Sequence, residues 1–484
     1  MIASVQELKL MSTNPSEIST EALPLVPTQT PAQAPPPSEY EQGARDRLQK
    51  LLATEPDWLQ DLRLMALSRF EALGFPTRRQ EAWKYINIRP LLGLSLNAEA
   101  PEPKVCPPAL HRHLLEFPET DVIRLVFVNG RFNQERSTQA DLPEGVIISN
   151  LKTACRAHPE RVREHLGRLI PEETDVFAAL NTALFDDGVF IYMPENTEFK
   201  PLIQLVFAGF GDESRATYPR NLVVLGQNAK ASLAVEHIGL SPAVSFNNSV
   251  NEFILAEGAQ ADCTVMLSEG PQGWHLAATR NILAANSRLS LTTVTLAGQV
   301  NRHTVQTLLQ GEDAELVLNG LDVLEGKTEV YHHTVTEHWV PNCTARQYYK
   351  SMLDDETKSE FNSLVFVAKG AVGTDSQQLN KNLLLSDDAR VWTRPQLQIN
   401  ADDVKCAHGA ATGQLDEAQL FYLASRGLNR ELAQALLMYG FAEDIIQKIP
   451  DTRMRKYLDL RVLANLHRTD ALLRQELGRK QPPL

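Results

Sequence analysis

The stretches NLVVLGQNAKASLAV (Asn221–Val235), NEFILAEGAQADCTVM (Asn251–Met266) and RNILAANSRLSLTTV (Arg280–Val294) share one pattern. Each is a short apolar run, a turn of small or polar residues, then a second run in which apolar and polar residues alternate. Alternation of period two marks a strand with one buried face. Three more copies follow: QTLLQGEDAELVLNGL from Gln306, KSMLDDETKSEFNSLVF from Lys350 and NLLLSDDARVWTRPQLQI from Asn382. Successive starts lie 30, 29, 26, 44 and 32 residues apart, so the long gap reads as a repeat carrying an insertion around Tyr331–Arg346. Repeats of this length made only of strand and turn indicate a solenoid. Their turns lack the Asn-Gly and Asp-Gly pairs of two-residue hairpins, which favours coils stacked in parallel over a meander. The expected fold is mainly β: a parallel β-helix core over residues 186–408. Six coils stacked at ~4.8 Å make a rod on the order of 30 Å long. A sandwich of antiparallel sheets is the alternative that periodicity leaves open.

Helical signals flank this core. Residues 12–43, rich in Pro, Thr, Ser, Gln and Ala, cannot bury enough apolar surface to offset their ordering entropy, so residues 1–43 read as a disordered tail. With no Arg before Arg45 and with Glu7, Glu17, Glu21, Glu39 and Glu41, the segment is unlike an organelle transit peptide. Residues 44–185 read as a helical or mixed α/β domain. Leu59, Leu62, Ala66, Phe70 and Leu73 recur at helical spacing before a stop at Gly74. In Arg78–Leu92, Trp83, Tyr85 and Ile88 are expected to pack a cap while Arg79 and Lys84 stay solvated. Asn129-Gly130 predicts a tight hairpin within Val122–Phe132, and helices are expected near Pro159–Leu169 and Asp175–Phe185.

Residues 409–484 read as a helical domain. Asp416 with Gln419 three residues on resembles a capping box, Gly427 ends that helix, and Asn429 starts a second with Gly440 as its stop. Leu458, Val462 and Leu466 mark a third after Pro450. The helical regions on both sides are expected to cover the open ends of the solenoid, which otherwise invite strand addition.

The balance of 47 Lys+Arg against 60 Asp+Glu gives a net charge of −13, a poor basis for binding nucleic acid or an anionic membrane. Five scattered cysteines (Cys106, Cys155, Cys263, Cys343, Cys406) form no CxxC or zinc pattern and fit a reducing cytoplasm. No apolar run approaches the ~20 residues of a membrane span. There is no GxxxxGK[ST] loop for ATP, no GxSxG elbow and no HExxH helix. His332, His333, Glu337 and His338 alternate between strand faces, so they do not converge; solvated or interface histidines are expected there. Cys263 and Cys343 read as buried small apolar groups. Cys406 and His408 stand at i and i+2, on one face of a strand, where a thiol and an imidazole suit iron or another transition metal. One Cys and one His do not complete a site, so further ligands would come from another chain.

Four runs carry a family resemblance: HHTVTEHWVPNCTARQYYKSML (His332–Leu353), LNKNLLLSDDA (Leu379–Ala389), PQLQINADDVKCAHGAATG (Pro395–Gly413) and DEAQLFYLASRGL (Asp416–Leu428). With RQEAWKY at Arg79–Tyr85, they make the chain resemble the SufD family of the SUF iron–sulfur cluster assembly machinery. The resemblance implies a parallel β-helix between helical N- and C-terminal domains. It implies a non-catalytic scaffold that pairs with a SufB-like paralogue and docks a SufC-like ATPase; the isolated chain is also compatible with a homodimer. The family's interfacial histidine, in a C-x-H-G-A motif, falls on His408 beside Cys406. No cofactor is expected to be held stably: iron or a nascent cluster visits the interface, and ATP binds the partner. The implied ATPase contact includes Asp416, Gln419, Leu420, Phe421, Tyr422, Arg426 and Gly427.

The chain departs from the pattern in places. CAHGAATG stands for the usual CSHGATVG, changing Ala407, Ala411 and Thr412, and Phe361–Ser363 reads FNS for FNG. Where SufB has a cysteine this chain has Ala389, and where SufB has HEA it has His408-Gly409-Ala410. The expected mechanism has ATP-driven dimerisation of the ATPase straining the C-terminal helices and exposing His408 to iron while a partner thiolate holds sulfide. Two rival readings belong to other classes: a binding module with a structural Cys406 and His408, and a β-helix polysaccharide lyase.

Overall fold

The computed structural model describes residues 39–93, 110, 122–138, 140–168 and 174–466. All lie in one unit, Ser38–Leu484. Most of the expected disordered tail is outside the described residues, but its last part is helical: α1 spans Glu39–Leu52.

The core is a right-through stack of parallel strands, eight coils of two strands each. Coils 1 to 4 are Gly188–Met193 with Leu202–Gly209, Arg220–Leu225 with Lys230–Gly239, Ser245–Leu255 with Gln260–Ser268, and Gly273–Leu283 with Arg288–Ala297. Coils 5 to 8 are Val300–Leu309 with Glu315–Leu324, Glu329–His338 with Thr344–Leu353, Lys358–Val367 with Asp375–Leu384, and Arg390–Ile399 with Lys405–Gly413. Between coils, first strands bond to first strands and second strands to second strands, giving two sheets that face each other; a short strand, Arg215–Thr217, also pairs with the first strand of coil 3. In the first sheet Arg220, Val250, Ala278, Thr304, His333, Asn362 and Arg394 lie one above another.

Two expectations are corrected by this register. There are eight coils, where the sequence pattern gave six. The residues read as an insertion, Tyr331–Arg346, are ordinary strands of coil 6. The first four quoted repeats span the corner inside a coil, whereas the last two span the corner between coils, so the comparison jumped a half-turn. The last strand also runs on to Gly413, past the expected boundary at 408.

The corner inside each coil explains why the chain coils. One residue there has positive φ: Asn196, Asn228, Gly258, Asn286, Asp313, Asn342, Gly373 and Asp403. Only Gly, Asn and Asp visit that region at low cost. Neighbouring corners are bonded, as in Asn228 N–H to Glu257 O and Gly373 N–H to Asp403 O, both 2.9 Å.

Inside the stack, Leu233, Val235, Leu255, Leu289, Leu291, Leu309, Leu316 and Leu318 fill the half beside these corners. Outside the first sheet, α2 (Asp57–Leu73) and α6 (Val176–Leu184) pack over Phe246, Trp274, Leu276 and Val300. Between them in the chain come α3 (Arg89–Leu92), α4 (Leu151–Ala157) and α5 (Pro159–His165), the last ending short of the expected Leu169. Gly74 at φ 62 closes α2 as expected. Arg63, buried in α2, pairs with Glu55 and donates to Ala183 O and Phe185 O.

After the solenoid come α7 (Glu417–Ser425), α8 (Arg430–Ile446) and α9 (Thr452–Asn465). Ile445, Ile446, Met454, Leu458 and Val462 pack on Ala234, Met266, Val294, Leu321 and Met352, the outer face of the second sheet. These helices therefore lie along the flank of the rod; they do not cap coil 8 as expected. Gly440 does not stop α8, which continues to Ile446. At the other end the hairpin Val122–Val128/Arg131–Phe132 pairs with coil 1, turning at Asn129 (φ 50) and Gly130 (φ 80). Ile147–Asn150 adds to the other strand of that coil.

Gly320 makes room for the ring of Tyr349: a Cβ there would fall 2.1 Å from Tyr349 Cδ1. Gly320→Ala is expected to lower stability by about 1–3 kcal/mol through overpacking. Guanidinium melts monitored by far-UV dichroism check this, and an unchanged midpoint contradicts the account.

Candidate functional site

Cys406 and His408 lie on Lys405–Gly413, the outermost strand of the second sheet. Its inner edge pairs with Asp375–Leu384, placing Cys406 on Ser376 and His408 on Gln378. Ser376 and Gln378 are buried and face the interior, so Cys406 and His408 share the inward face, as their spacing predicts. Their surroundings differ. Cys406 is half-buried against Val365, Val367, Ala371, Leu397 and Val404. Burial pushes its thiol above the ordinary range, partly offset by a backbone hydrogen bond from Ser376. His408 is exposed, and no further coil among the described residues covers it.

Beneath this strand lies a file of polar side chains. Gln378 Nε2 donates to Ser363 Oγ at 2.7 Å, Thr334 Oγ1 to Gln347 Oε1 at 2.8 Å, and Ser351 Oγ to Asp322 Oδ2 at 2.7 Å. Asp322 holds His332 Nε2 at 2.9 Å. Directly under the last strand, Ser376 Oγ, Gln378 Oε1 and Asn382 Oδ1 are buried without a hydrogen-bond partner among the described residues. Sequence reading missed this file, although the alternating His, Thr, Ser and Gln of the strands were its signal.

The histidines of coil 6 diverge as parity requires, but they are buried, not solvated. His332 turns inward to Asp322, and His333 turns outward to Glu360 Oε2 at 3.1 Å. Glu360 is held up at about 7, chiefly by burial. His338 is also buried, and burial lowers it to about 4. Glu337 accepts from Gln306 and Trp339. Cys263 and Cys343 are buried as expected.

The RQEAWKY stretch does more than cap. Trp83 is buried under the Arg302 guanidinium, whose Nη1 donates to Ala82 O at 2.9 Å. Tyr85 stacks on Trp392 of coil 8 with ring centroids 4.2 Å apart, and Glu81 pairs with Arg394 of the same strand. Arg79 and Lys84 are exposed, as expected. The N-terminal layer thus braces the coil that carries His408.

In the C-terminal helices Asp416 caps α7 by accepting from Ala418 N at 2.8 Å, and Gly427, at φ 89, turns the chain after it. Gln419 and Arg426 are exposed, the latter lying over the Tyr422 ring. Phe421 is 77% and Tyr422 57% exposed, whereas Leu420 is buried and anchors the helix. Of the expected docking residues, all but Leu420 and Gly427 thus have their side chains on the exposed part of this helix and its cap.

Two family models match the chain. The SufBD protein N-terminal region covers residues 38–205, and the SUF system FeS cluster assembly SufBD core domain covers residues 207–441. The chain belongs to the SufBD family. An iron–sulfur cluster assembly SufBD family protein from Synechocystis is 34% identical over 82% of this chain and 89% of its own. The iron–sulfur cluster assembly protein SufD of Escherichia coli is 31% identical over 80% of this chain and 89% of its own. A chloroplastic protein of Arabidopsis thaliana, ABCI7, is 29% identical over 70% of this chain and 72% of its own. This SufBD chain carries its core match from the end of coil 1 through most of α8. No helix of its described residues is long and apolar enough to cross a membrane.

In this SufBD protein the flank helices are fastened by a buried carboxyl. Tyr457 OH donates to Glu236 Oε1 at 2.8 Å, and burial raises Glu236 to about 7 despite that bond and nearby Arg461 and Arg124. The native state therefore holds this proton more tightly than the unfolded chain, where the group ionises near 4.5. Its contribution to stability is full below about pH 4.5 and is lost as pH rises through about 7. Glu236→Gln is expected to match wild type in thermal midpoint at pH 5 and exceed it by a few degrees at pH 8. Parallel pH profiles for the two proteins would contradict this assignment.

Proposed function

We propose that this chain is a non-catalytic scaffold subunit of the cytoplasmic SUF machinery, working with a SufB-like paralogue and a SufC-like ATPase. The observation that carries the reading is the open last coil. Arg390–Ile399 and Lys405–Gly413 are the end strands of their sheets, so their outer backbone groups are available to a second chain by strand addition. Trp339, Val372 and Ile399, all more than a third exposed, lie on neighbouring strands and corners at this end.

His408 stands at that seam with its ring exposed, and a neutral imidazole is a good iron ligand. In this reading iron, as cargo, is taken by His408, and sulfide is held by a thiolate of the paralogue. Cys406 plays the lesser part: its packing and its raised thiol suit a floor under the site better than a ligand. Hydrolysis belongs to the ATPase, which docks on Phe421, Tyr422 and Arg426. Its pull reaches the second sheet through α8, where Lys350 Nζ meets Asp444 Oδ2 at 2.5 Å and Phe441 O at 2.8 Å.

His408→Ala, co-expressed with the paralogue and ATPase of its native host, is expected to leave the complex assembled and cut its cluster content at least about tenfold, comparable to losing a site's supporting ligand. Iron and acid-labile sulfide on the purified complex give the answer; normal content refutes the ligand role. Phe421→Ser with Tyr422→Ser is expected to abolish ATPase co-purification while changing stability by no more than about 0.5 kcal/mol, both rings being exposed. Undiminished capture of the ATPase by that double variant removes α7 from the docking surface.

A further inference from the structure

At the opposite end of the interior from His408, three metal-ligating side chains converge where coils 2, 3 and 4 turn back. His237 points inward from the second sheet, Glu269 follows the second strand of coil 3, and His275 opens coil 4. One ligand atom from each lies within 4.8 Å of the other two. His275 Nδ1 sits 3.1 Å from Glu269 Oε1. All three are buried, at 1%, 7% and 1% exposure. Asn247 completes the ring: in the first sheet it is stacked on His275, with its Nδ2 3.0 Å from His237 Nδ1 and 3.4 Å from Glu269 Oε1. Its other amide atom, Oδ1, is buried with no hydrogen-bond partner among the described residues.

We propose that His237, Glu269, His275 and Asn247 form an internal binding site for one divalent first-row transition-metal ion, separate from the His408 seam. Two imidazoles and a carboxylate are the donor set of zinc and non-haem iron sites. Metal–ligand bonds of about 2.1 Å put tetrahedral neighbours about 3.4 Å apart. Donor atoms within 4.8 Å of one another would have to draw together modestly to close on an ion. Turning the Asn247 amide over exchanges Nδ2 for the unpartnered Oδ1 and makes an oxygen the fourth ligand.

The His237 ring is buried and held in place by its neighbours. Phe207 stacks on one face of that ring at 4.9 Å, and His275 meets it edge-on at 4.5 Å, fixing its direction. A cavity of about 20 Å³ borders Asn247 and Glu269, lined also by Gly130, Phe207, Gly209 and Arg215. That is room for one water beside the cluster, on the side of Asn247 and Glu269. The buried Arg215 guanidinium lines the same cavity as Glu269, and its charge works against entry of any cation, so the neutral donors have to carry the affinity.

The test uses the full chain, purified, stripped with chelator and titrated anaerobically with Co(II), then Zn(II) in competition. Wild type is expected to take up one ion, with Co(II) absorption of four- or five-coordinate intensity that Zn(II) bleaches. Glu269→Gln and His275→Ala are expected to weaken uptake at least tenfold, while Cys406→Ala with His408→Ala leaves it unchanged. Asn247→Asp adds a charged oxygen at the same place and is expected to tighten uptake; because it keeps the side-chain shape, it reports even where His275→Ala fails to fold. The proposal is overturned by wild type that binds no stoichiometric Co(II), by Asn247→Asp that binds no tighter, or by loss of the ion in the Cys406/His408 double variant alone. Each of these readouts is independent of cluster maturation.

Discussion

In the middle of this rod each strand is hydrogen-bonded to the coil above it and the coil below it, and not to the other strand of its own turn. That single constraint orders the molecule. It forces the register in which Arg220, Val250, Ala278, Thr304 and His333 share one column. It also leaves a question at each end, where a ladder of N–H and C=O groups has no next coil. At the first end the chain answers for itself, with Val122–Val128 on one strand and Ile147–Asn150 on the other. At the second end the described residues give no answer. The chain instead runs back along the flank, where α8 and α9 spend their apolar residues on the second sheet. The position of His408 on that uncovered strand is a consequence of the same constraint.

Much of this was legible because the solenoid repeats locally. The column of Asn, Asp and Gly at positive φ is written in the sequence at a regular interval, and the alternating strands on either side set the faces. Parity alone correctly separated His332 from His333 and joined Cys406 to His408. What parity does not supply is the phase of a coil. The corner within a coil and the corner between coils have similar residues, DDETK at Asp354–Lys358 resembling GEDAE at Gly311–Glu315, so two repeats were matched to the wrong corner. One coil then looked like an insertion. Burial was misjudged for a related reason. A polar residue on a strand usually faces water, but the outer face of the first sheet is covered here, so His333 and Glu360 meet buried, at 7% and 4% exposure.

The interior polar groups were also invisible one repeat at a time. His237, Glu269 and His275 are spaced with no local motif, and they meet only once three coils are stacked in register. The same holds for Thr334, Gln347 and Ser363, which come from coils 6 and 7. Burying so many hydroxyls and amides is costly unless each finds a partner. Many do, by bonding to each other along the rod, as Thr334 does with Gln347 and Asn281 with Thr307. Atoms unpartnered among the described residues remain along its whole length, at Ser249 and Asn281 in coils 3 and 4 as well as at Ser376, Gln378 and Asn382 in coil 7.

The ladders of the second sheet also set how the C-terminal helices relate to His408. Lys350 joins α8 to the strand Thr344–Leu353 of coil 6. That strand bonds to Asp375–Leu384, and Asp375–Leu384 bonds to Lys405–Gly413. Two ladders of the second sheet therefore separate the helix from the imidazole. In the apolar half, a displacement of the sheet opens voids and is opposed by packing. In the polar half beneath His408, Gln378 donates to Ser363 and Asn382 to Thr412, so hydrogen bonds oppose it there. The last coil is joined to the flank through these two ladders, and it is also the part whose edges a partner strand would complete.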